Sequence, residues 1–285
     1  MGAVAAEVGL GIELRERKKV QSEIMHIVIE PQAPPHEETP PEKLLSRFNV
    51  VSLLLFALAA CSMLYWALPR TMVDLEGGRH DLTLPAPGAS VLALDKPGSV
   101  GPQSIVLAGG CFWGVQLVFQ HTHGVISAVS GFAGGQAGDA NYSLVSSGAT
   151  HHAEAVQIHF DPQQVTLAQL LQIYFAVVHD PTQLNRQYPD EGAQYRSAVF
   201  VQDDRQQQIT QSYIDQLDAA AVFPAKIVTQ ISALKGFYPA EPKHQNYALR
   251  NPTSPYIAQF DLPKLTLLKT QFAPLYRDQP TWVTP

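Results

Sequence analysis

The chain has 285 residues, 46% of them hydrophobic and 15% charged, with a formal net charge of −6. That balance supports a folded core and lacks the Lys and Arg excess of a phosphate-binding surface, so no nucleic-acid partner is expected. Its two cysteines, Cys61 and Cys111, exclude a disulfide scaffold and a thiolate zinc site built from this chain alone.

Residues 1–48 carry mixed charge and then the run Pro31-Gln-Ala-Pro-Pro-His-Glu-Glu-Thr-Pro-Pro-Glu42, which buries too little apolar surface to offset ordering entropy and is expected to be a disordered leader. Met25 is an alternative start. Residues 49–68 contain no charged side chain, and about 20 apolar residues at ~1.5 Å each match the hydrocarbon core of a bilayer. A transmembrane span or signal anchor is one expectation. Leu58-Ala59-Ala60-Cys61 also resembles a lipobox, with lipidation of Cys61 after cleavage, although Met63 to Leu68 stay apolar beyond that cut; a buried globular helix is the third reading. Lys43 and Arg47 on one side and Arg70 and Arg79 on the other leave the orientation open. The N-terminal position of the segment favours an inner-membrane anchor with a periplasmic domain over a cytoplasmic location. Residues 69–103, rich in Pro and Gly, read as a spacer.

From Ser104 the patterns are those of a mixed domain covering residues 104–255. Ser104 to Ala108 is an apolar strand stopped by Gly109-Gly110, and Phe112 to His121 follows with helical spacing. Ala153 to Phe160 alternates as a half-buried strand, and Val165 to Val178 is helical. Arg196 to Gln202 reads as a strand, Asp204 to Ala221 as a polar-faced helix with a capping Asp, and Lys226 to Ile231 as a further strand. A Pro-punctuated stretch follows from Phe237, and residues 256–285 read as a C-terminal tail. Strands interleave with helices, α/β or α+β, with no internal repeat.

Cys111 falls between a strand ending in two glycines and a helix, so its sulfur should lie at a helix N-terminus, where unpaired N–H groups and the dipole favour a thiolate. The alternative is a buried free cysteine acting as a small hydrophobe. Phe112 and Trp113, next in sequence, either wall a site for a small apolar group such as an S-methyl or simply pack in the core.

Gly110-Cys111-Phe112-Trp113-Gly114 resembles the signature of A-type peptide methionine sulfoxide reductases. The family's further motifs follow in order: Val129 to Gly135, Asn141-Tyr142-x-x-Val145, Thr150-x-His152-Ala153-Glu154, His179 to Gln183, Asp190-x-Gly192-x-Gln194-Tyr195-Arg196-Ser197, and Glu241-x-x-His244-Gln245-x-Tyr247. The resemblance implies an α+β fold: a two-layer sandwich with a ferredoxin-like core and a mixed sheet. It also implies reduction of methionine S-sulfoxide, free or in oxidised proteins, by a monomer with no bound cofactor and an external thiol, thioredoxin-like or small, as reductant.

The chemistry asks for the same residue types. A sulfoxide is a poor electrophile until its oxygen is protonated, which needs a carboxylic acid held neutral. Glu154, on a strand beside Ala153, Ala155 and Val156, is the candidate, an exposed strand Glu being the alternative. Attack by the Cys111 thiolate on sulfur then releases methionine and leaves a sulfenic acid. By resemblance, Tyr142 and Tyr195 donate hydrogen bonds to the developing S–OH, Asp190 holds the polar network, and Phe112 and Trp113 cage the methyl group. His152, His179 and His244 fall in separate motifs with packing or supporting roles, and no metal is expected.

Many family members recycle the sulfenic acid with a second cysteine in the C-terminal tail, but Asn251 to Pro285 contains none, and Ser146 stands where relatives often have cysteine. Cys61 lies in the apolar segment. A single-cysteine cycle is therefore expected, an external thiol attacking the sulfenic acid directly. Milder departures, Tyr188-Pro189, Phe132, His151 and Lys243, touch the substrate rim more than the chemistry. Two rival functions are a cysteine hydrolase or acyltransferase using His152 or His244 as base, which leaves the Glu154 motif without a reason, and a non-catalytic envelope lipoprotein.

Overall fold

The computed structural model describes residues 82–95 and 101–284. The expected leader, the apolar segment 49–68 and most of the spacer lie outside these residues. No helix among the described residues is long and apolar enough to cross a membrane.

The core is one six-stranded sheet, in the order β7-β6-β1-β3-β2-β8. Its strands are β1 (Gln103–Ala108), β2 (Val125–Ala133), β3 (Ala153–Phe160), β6 (Ala198–Val201), β7 (Gln230–Ala233) and β8 (Phe237–Pro239). β3 lies antiparallel between β1 and β2, β8 extends the β2 edge, and β7 joins β6 in parallel, so the sheet is mixed. A separate ribbon pairs β4 (Arg186–Gln187) with β5 (Asp190–Glu191).

One layer of helices covers the main face. It comprises α1 (Ala89–Leu94), α2 (Phe112–Gln120), α3 (Tyr142–Ser146), α4 (Leu167–Ile173) and α5 (Asp204–Ala219). Ile105, Leu107, Val156 and Ile158 of the sheet meet Val115, Val118, Phe119, Leu171 and Phe175 in a single core. At about 25 cal/mol per Å² this apolar burial is the main force holding the layers together. The helix starts are locally encoded: Thr166 and Gln169 form a capping box, and Asp203 accepts from the Gln206 N–H at 2.8 Å.

Several expected elements shift. The helix expected over Val165 to Val178 changes to π geometry at Tyr174–Val178, where the Tyr174 hydroxyl reaches down to the Ala108 carbonyl at 2.7 Å. The strand expected from Lys226 begins at Gln230, because Val228 N–H is committed to the Pro181 carbonyl and Ile227 N–H to Asp218. β2 carried no strand expectation: Ser127, Ser130 and Gly131 dilute its apolar alternation, and a register shift follows Val125. Gly131 is needed there, since a Cβ would lie 2.4 Å from the Tyr238 carbonyl oxygen of β8.

The largest correction concerns residues 256–285, expected as a tail outside the domain. They form a π turn (Ile257–Asp261) and α7 (Leu262–Gln271), both packed beside α2 together with the short α6 (Tyr247–Arg250). Pro263 occupies the first turn of α7, where the missing N–H has no helical partner to lose. Beyond α7 the chain returns to α2: Arg277 donates to the Gln120 and Val125 carbonyls, and Val283 N–H donates to Asn246.

Candidate active site

The site assembles at the C-terminal end of β1. Gly110, at φ +89°, turns the chain from strand to helix; a Cβ here would meet Gln187 Cγ at 2.7 Å. Cys111 is the N-cap of α2, as expected, and is a free, partly exposed thiol. The Trp113 N–H at the helix start favours a charged sulfur, yet the thiol is held well above its usual range, chiefly by burial and then by the negative charge that Glu154, Asp261 and Asp190 carry once ionised. The resting group is a neutral thiol. One turn of helix dipole is outweighed by a low-dielectric site with acidic neighbours.

Glu154 lies on β3 with 1% of its surface exposed, and its carboxyl accepts the Phe112 N–H at 3.0 Å. Burial pushes its pKa up to about 8, helped by Asp190 and opposed by the Phe112 and Cys111 hydrogen bonds. It is a neutral acid at pH 7 in contact with the thiol. The exposed-strand alternative is excluded.

Tyr142 opens α3, held by the Asn141 cap that accepts from Leu144 N–H at 3.1 Å. Burial and Glu154 push its hydroxyl up to about 12, and burial with Glu154 and Asp190 raises Tyr195 further, so both phenols are donors at neutral pH. Asp190, on β5, is raised by burial and accepts a hydrogen bond from the Tyr256 hydroxyl. The structure thus gathers Cys111, Glu154, Tyr142, Tyr195 and Asp190 into one electrostatic cluster.

The two aromatics after the cysteine divide their work. Phe112 is fully buried, its ring centroid 5.8 Å from that of Phe132 and 6.3 Å from that of Tyr142, and forms the inner wall. Trp113 is partly exposed and stacks on Tyr247 at 3.9 Å, with Tyr256 edge-on at 6.2 Å. His244 stacks on Tyr142 at 4.0 Å.

Of the other histidines, His152 takes the Gly135 N–H at 3.2 Å and lies 3.0 Å from Asp139, pinning the loop after β2. His179 meets Ser197 Oγ at 2.7 Å under the Tyr174 ring. No group of three or more His, Cys, Asp or Glu side chains among the described residues is placed to hold a metal. Sequence reasoning missed Tyr256, Asp261 and Lys264, all from the packed C-terminal segment. The signal available for them was a Tyr, an Asp and a Lys within one short stretch of the C-terminal segment.

Fold and site together place a buried carboxyl and two phenols around one cysteine at a helix N-terminus. Residues 103–274 match the family model described as peptide methionine sulfoxide reductase. A reductase of that name, of the A type, from Mesorhizobium japonicum is 55% identical over 67% of this chain and 97% of its own length. Others are 46% identical: one from Synechocystis over 61% of this chain and 81% of its own length, one from Natronomonas pharaonis over 59% and 93%. The chain belongs to the peptide methionine sulfoxide reductase family, A type.

Proposed function

We propose that this protein reduces methionine S-sulfoxide, in oxidised proteins and as the free amino acid, with Cys111 as nucleophile and Glu154 as acid. The observation that carries the reading is the Glu154 carboxyl, 1% exposed and bound to the Phe112 N–H at 3.0 Å immediately after Cys111, where burial pushes its pKa up to about 8.

The sulfoxide oxygen takes a proton from Glu154 while Tyr142 and Tyr195 donate hydrogen bonds to it, and positive charge develops on the substrate sulfur. That charge favours ionisation of Cys111, whose proton returns to Glu154 as the sulfur attacks. The S–O bond of the substrate breaks, the oxygen passes to Cys111 as a sulfenic acid, and methionine leaves reduced by two electrons. Asp190 orients the polar network, and Phe112 and Trp113 enclose the methyl group.

An external thiol then attacks the sulfenic acid, forming a mixed disulfide and water, and a second thiol restores Cys111 with release of a disulfide. Cys111 is the only cysteine among the described residues. The reductant is a thioredoxin-like protein or a small thiol.

The charge-free segment 49–68 supports an anchor in the inner membrane, with the domain after it facing the periplasm, or attachment through lipidated Cys61. Intact mass analysis of the protein isolated from membranes distinguishes these, and an unmodified chain in the cytosol rejects both. The catalytic reading is tested by turnover of the separate sulfoxide epimers: methionine is expected from the S epimer alone and none from the Cys111→Ser variant.

A further inference from the structure

Trp113 starts a row of rings that leads away from Cys111. Tyr256 stands edge-on to it at 6.2 Å, Phe260 lies 5.1 Å from Tyr256, and Tyr188 meets Phe260 edge-on at 5.8 Å. These are the spacings of packed aromatic pairs. The first three rings are part-buried, whereas Tyr188 is 45% exposed. Leu184, 61% exposed, is on the same loop, next to Gln183, whose side chain accepts the Tyr188 N–H at 3.1 Å. One exposed ring needs no explanation, but a row of rings continuous with a cysteine site does.

The exposed end of the row is held in place. Tyr188 follows Gln187, whose side chain packs against Gly110 beside Cys111, and stands two residues before Asp190 of the site cluster. Gln187 also accepts the Asp180 N–H at 2.8 Å, and the Gly192 N–H donates to the Asn185 carbonyl at 2.9 Å, which closes the base of the β4–β5 ribbon. Tyr188 is therefore at the tip of a ribbon anchored on the site itself. The charges around it balance: Arg186 stands opposite Glu191 in the ribbon, and behind Phe260 the Asp261 carboxylate meets Lys264 Nζ at 3.0 Å. The surface at the tip suits an apolar group better than a charged one.

A methionine sulfoxide within a polypeptide brings its neighbours with it. Consecutive Cα atoms are about 3.8 Å apart, so with the sulfoxide at Cys111 the adjoining residues must cross the rim of the site. Phe112 and Trp113 take the methyl group, and the rings beyond Trp113 are the apolar surface that continues from there. The free amino acid has no adjoining residue to place on it.

We propose that the Tyr188–Phe260 end of the row is a subsite for an apolar side chain adjoining the oxidised methionine. Tyr188 is then a specificity-determining residue: it favours apolar-flanked methionine sulfoxide in a polypeptide over the polar-flanked or unflanked sulfoxide. This inference deepens the proposed reaction and rests on it, yet the two fail separately. A protein that reduces every sulfoxide without preference loses the subsite alone, and one that reduces none loses the reaction.

The test is kcat/KM of the full-length protein, with dithiothreitol as reductant, on three probes: a short peptide with methionine S-sulfoxide flanked on both sides by phenylalanine, the same peptide flanked by serine, and N-acetylmethionine S-sulfoxide amide. Wild type is expected to favour the phenylalanine peptide over the serine peptide by about tenfold, carried by KM, as for one apolar side chain entering a site. Tyr188→Ser should reduce that ratio to about twofold and leave the amide unchanged, and Tyr188→Phe should keep the wild-type ratio. Loss of ribbon packing would instead lower all three probes together. No preference in wild type, an unaltered ratio in Tyr188→Ser, or an equal fall on every probe overturns the proposal. A ratio that persists in Tyr188→Ser while turnover falls only with thioredoxin in place of dithiothreitol assigns the rings to the reductant, and overturns it too. The wild-type ratio is read without any variant, so the proposal stays falsifiable even where Tyr188→Ser does not fold.

Discussion

The carboxyl of Glu154 accepts the backbone N–H of Phe112 at 3.0 Å, which ties the acid on β3 to the peptide group immediately after Cys111. The bond fixes the distance between proton donor and sulfur by linking a strand to a helix N-terminus. Because Glu154 carries its proton up to about pH 8, the reductive step should slow as pH rises through that value. Replacing it by Gln keeps the shape but removes the proton, and single-turnover methionine release is expected to drop by about 10²- to 10⁴-fold and to lose its alkaline limb. A variant that keeps the limb assigns it to another group.

Tyr256 reaches from the C-terminal segment to the Asp190 carboxylate. A hydrogen bond to a charged acceptor contributes about 1.5–3 kcal/mol. Tyr256→Phe should therefore lower kcat/KM by about tenfold to a hundredfold, while Cys111 alkylation in the absence of substrate changes little. Steady-state kinetics with a sulfoxide-containing peptide give the comparison.

The close approach at Gly114 makes Gly114→Ala a sensitive probe of the docked segment. Its methyl group would need the space of Asp261 Oδ1 at 2.0 Å, so either the ion pair breaks or α7 moves away. Overpacking and loss of a buried pair together predict a destabilisation of about 2–4 kcal/mol, although Ala is the better helix former. Urea unfolding measures it; an unchanged or raised midpoint would show that the segment yields without loss.

Much of this site is legible in the chain itself. Gly110 to Gly114 specify a strand-to-helix turn with a cysteine at the N-cap, and the apolar residues around Glu154 specify burial and a neutral acid. What sequence could not weigh is the balance of forces at Cys111: the helix start is local, but Glu154, Asp190 and Asp261 arrive from three distant segments, and their combined effect opposes the dipole. The C-terminal segment was misread for a related reason. Pro252, Pro255 and Pro263 mark breaks in a linear reading, whereas in the fold Pro263 starts α7, and its neighbours are held by long-range bonds such as Arg277 to Val125.

That docking leads to the last prediction. Removing residues 256–285 would strip Tyr256 from Asp190, Asp261 from α2, and the Arg277 and Val283 bonds from the end of α2 and from Asn246. Trp113 would lose its edge contact with Tyr256, keep the Tyr247 and His244 stacks, and gain exposed surface. A dispensable tail would be lost without effect on the unfolding midpoint. The packed segment predicts instead a truncated chain that unfolds at distinctly lower urea concentration, exposes hydrophobic surface to dye, and reduces sulfoxide poorly even where it stays folded. Full stability and activity after truncation at residue 255 would show that these contacts contribute nothing to the site.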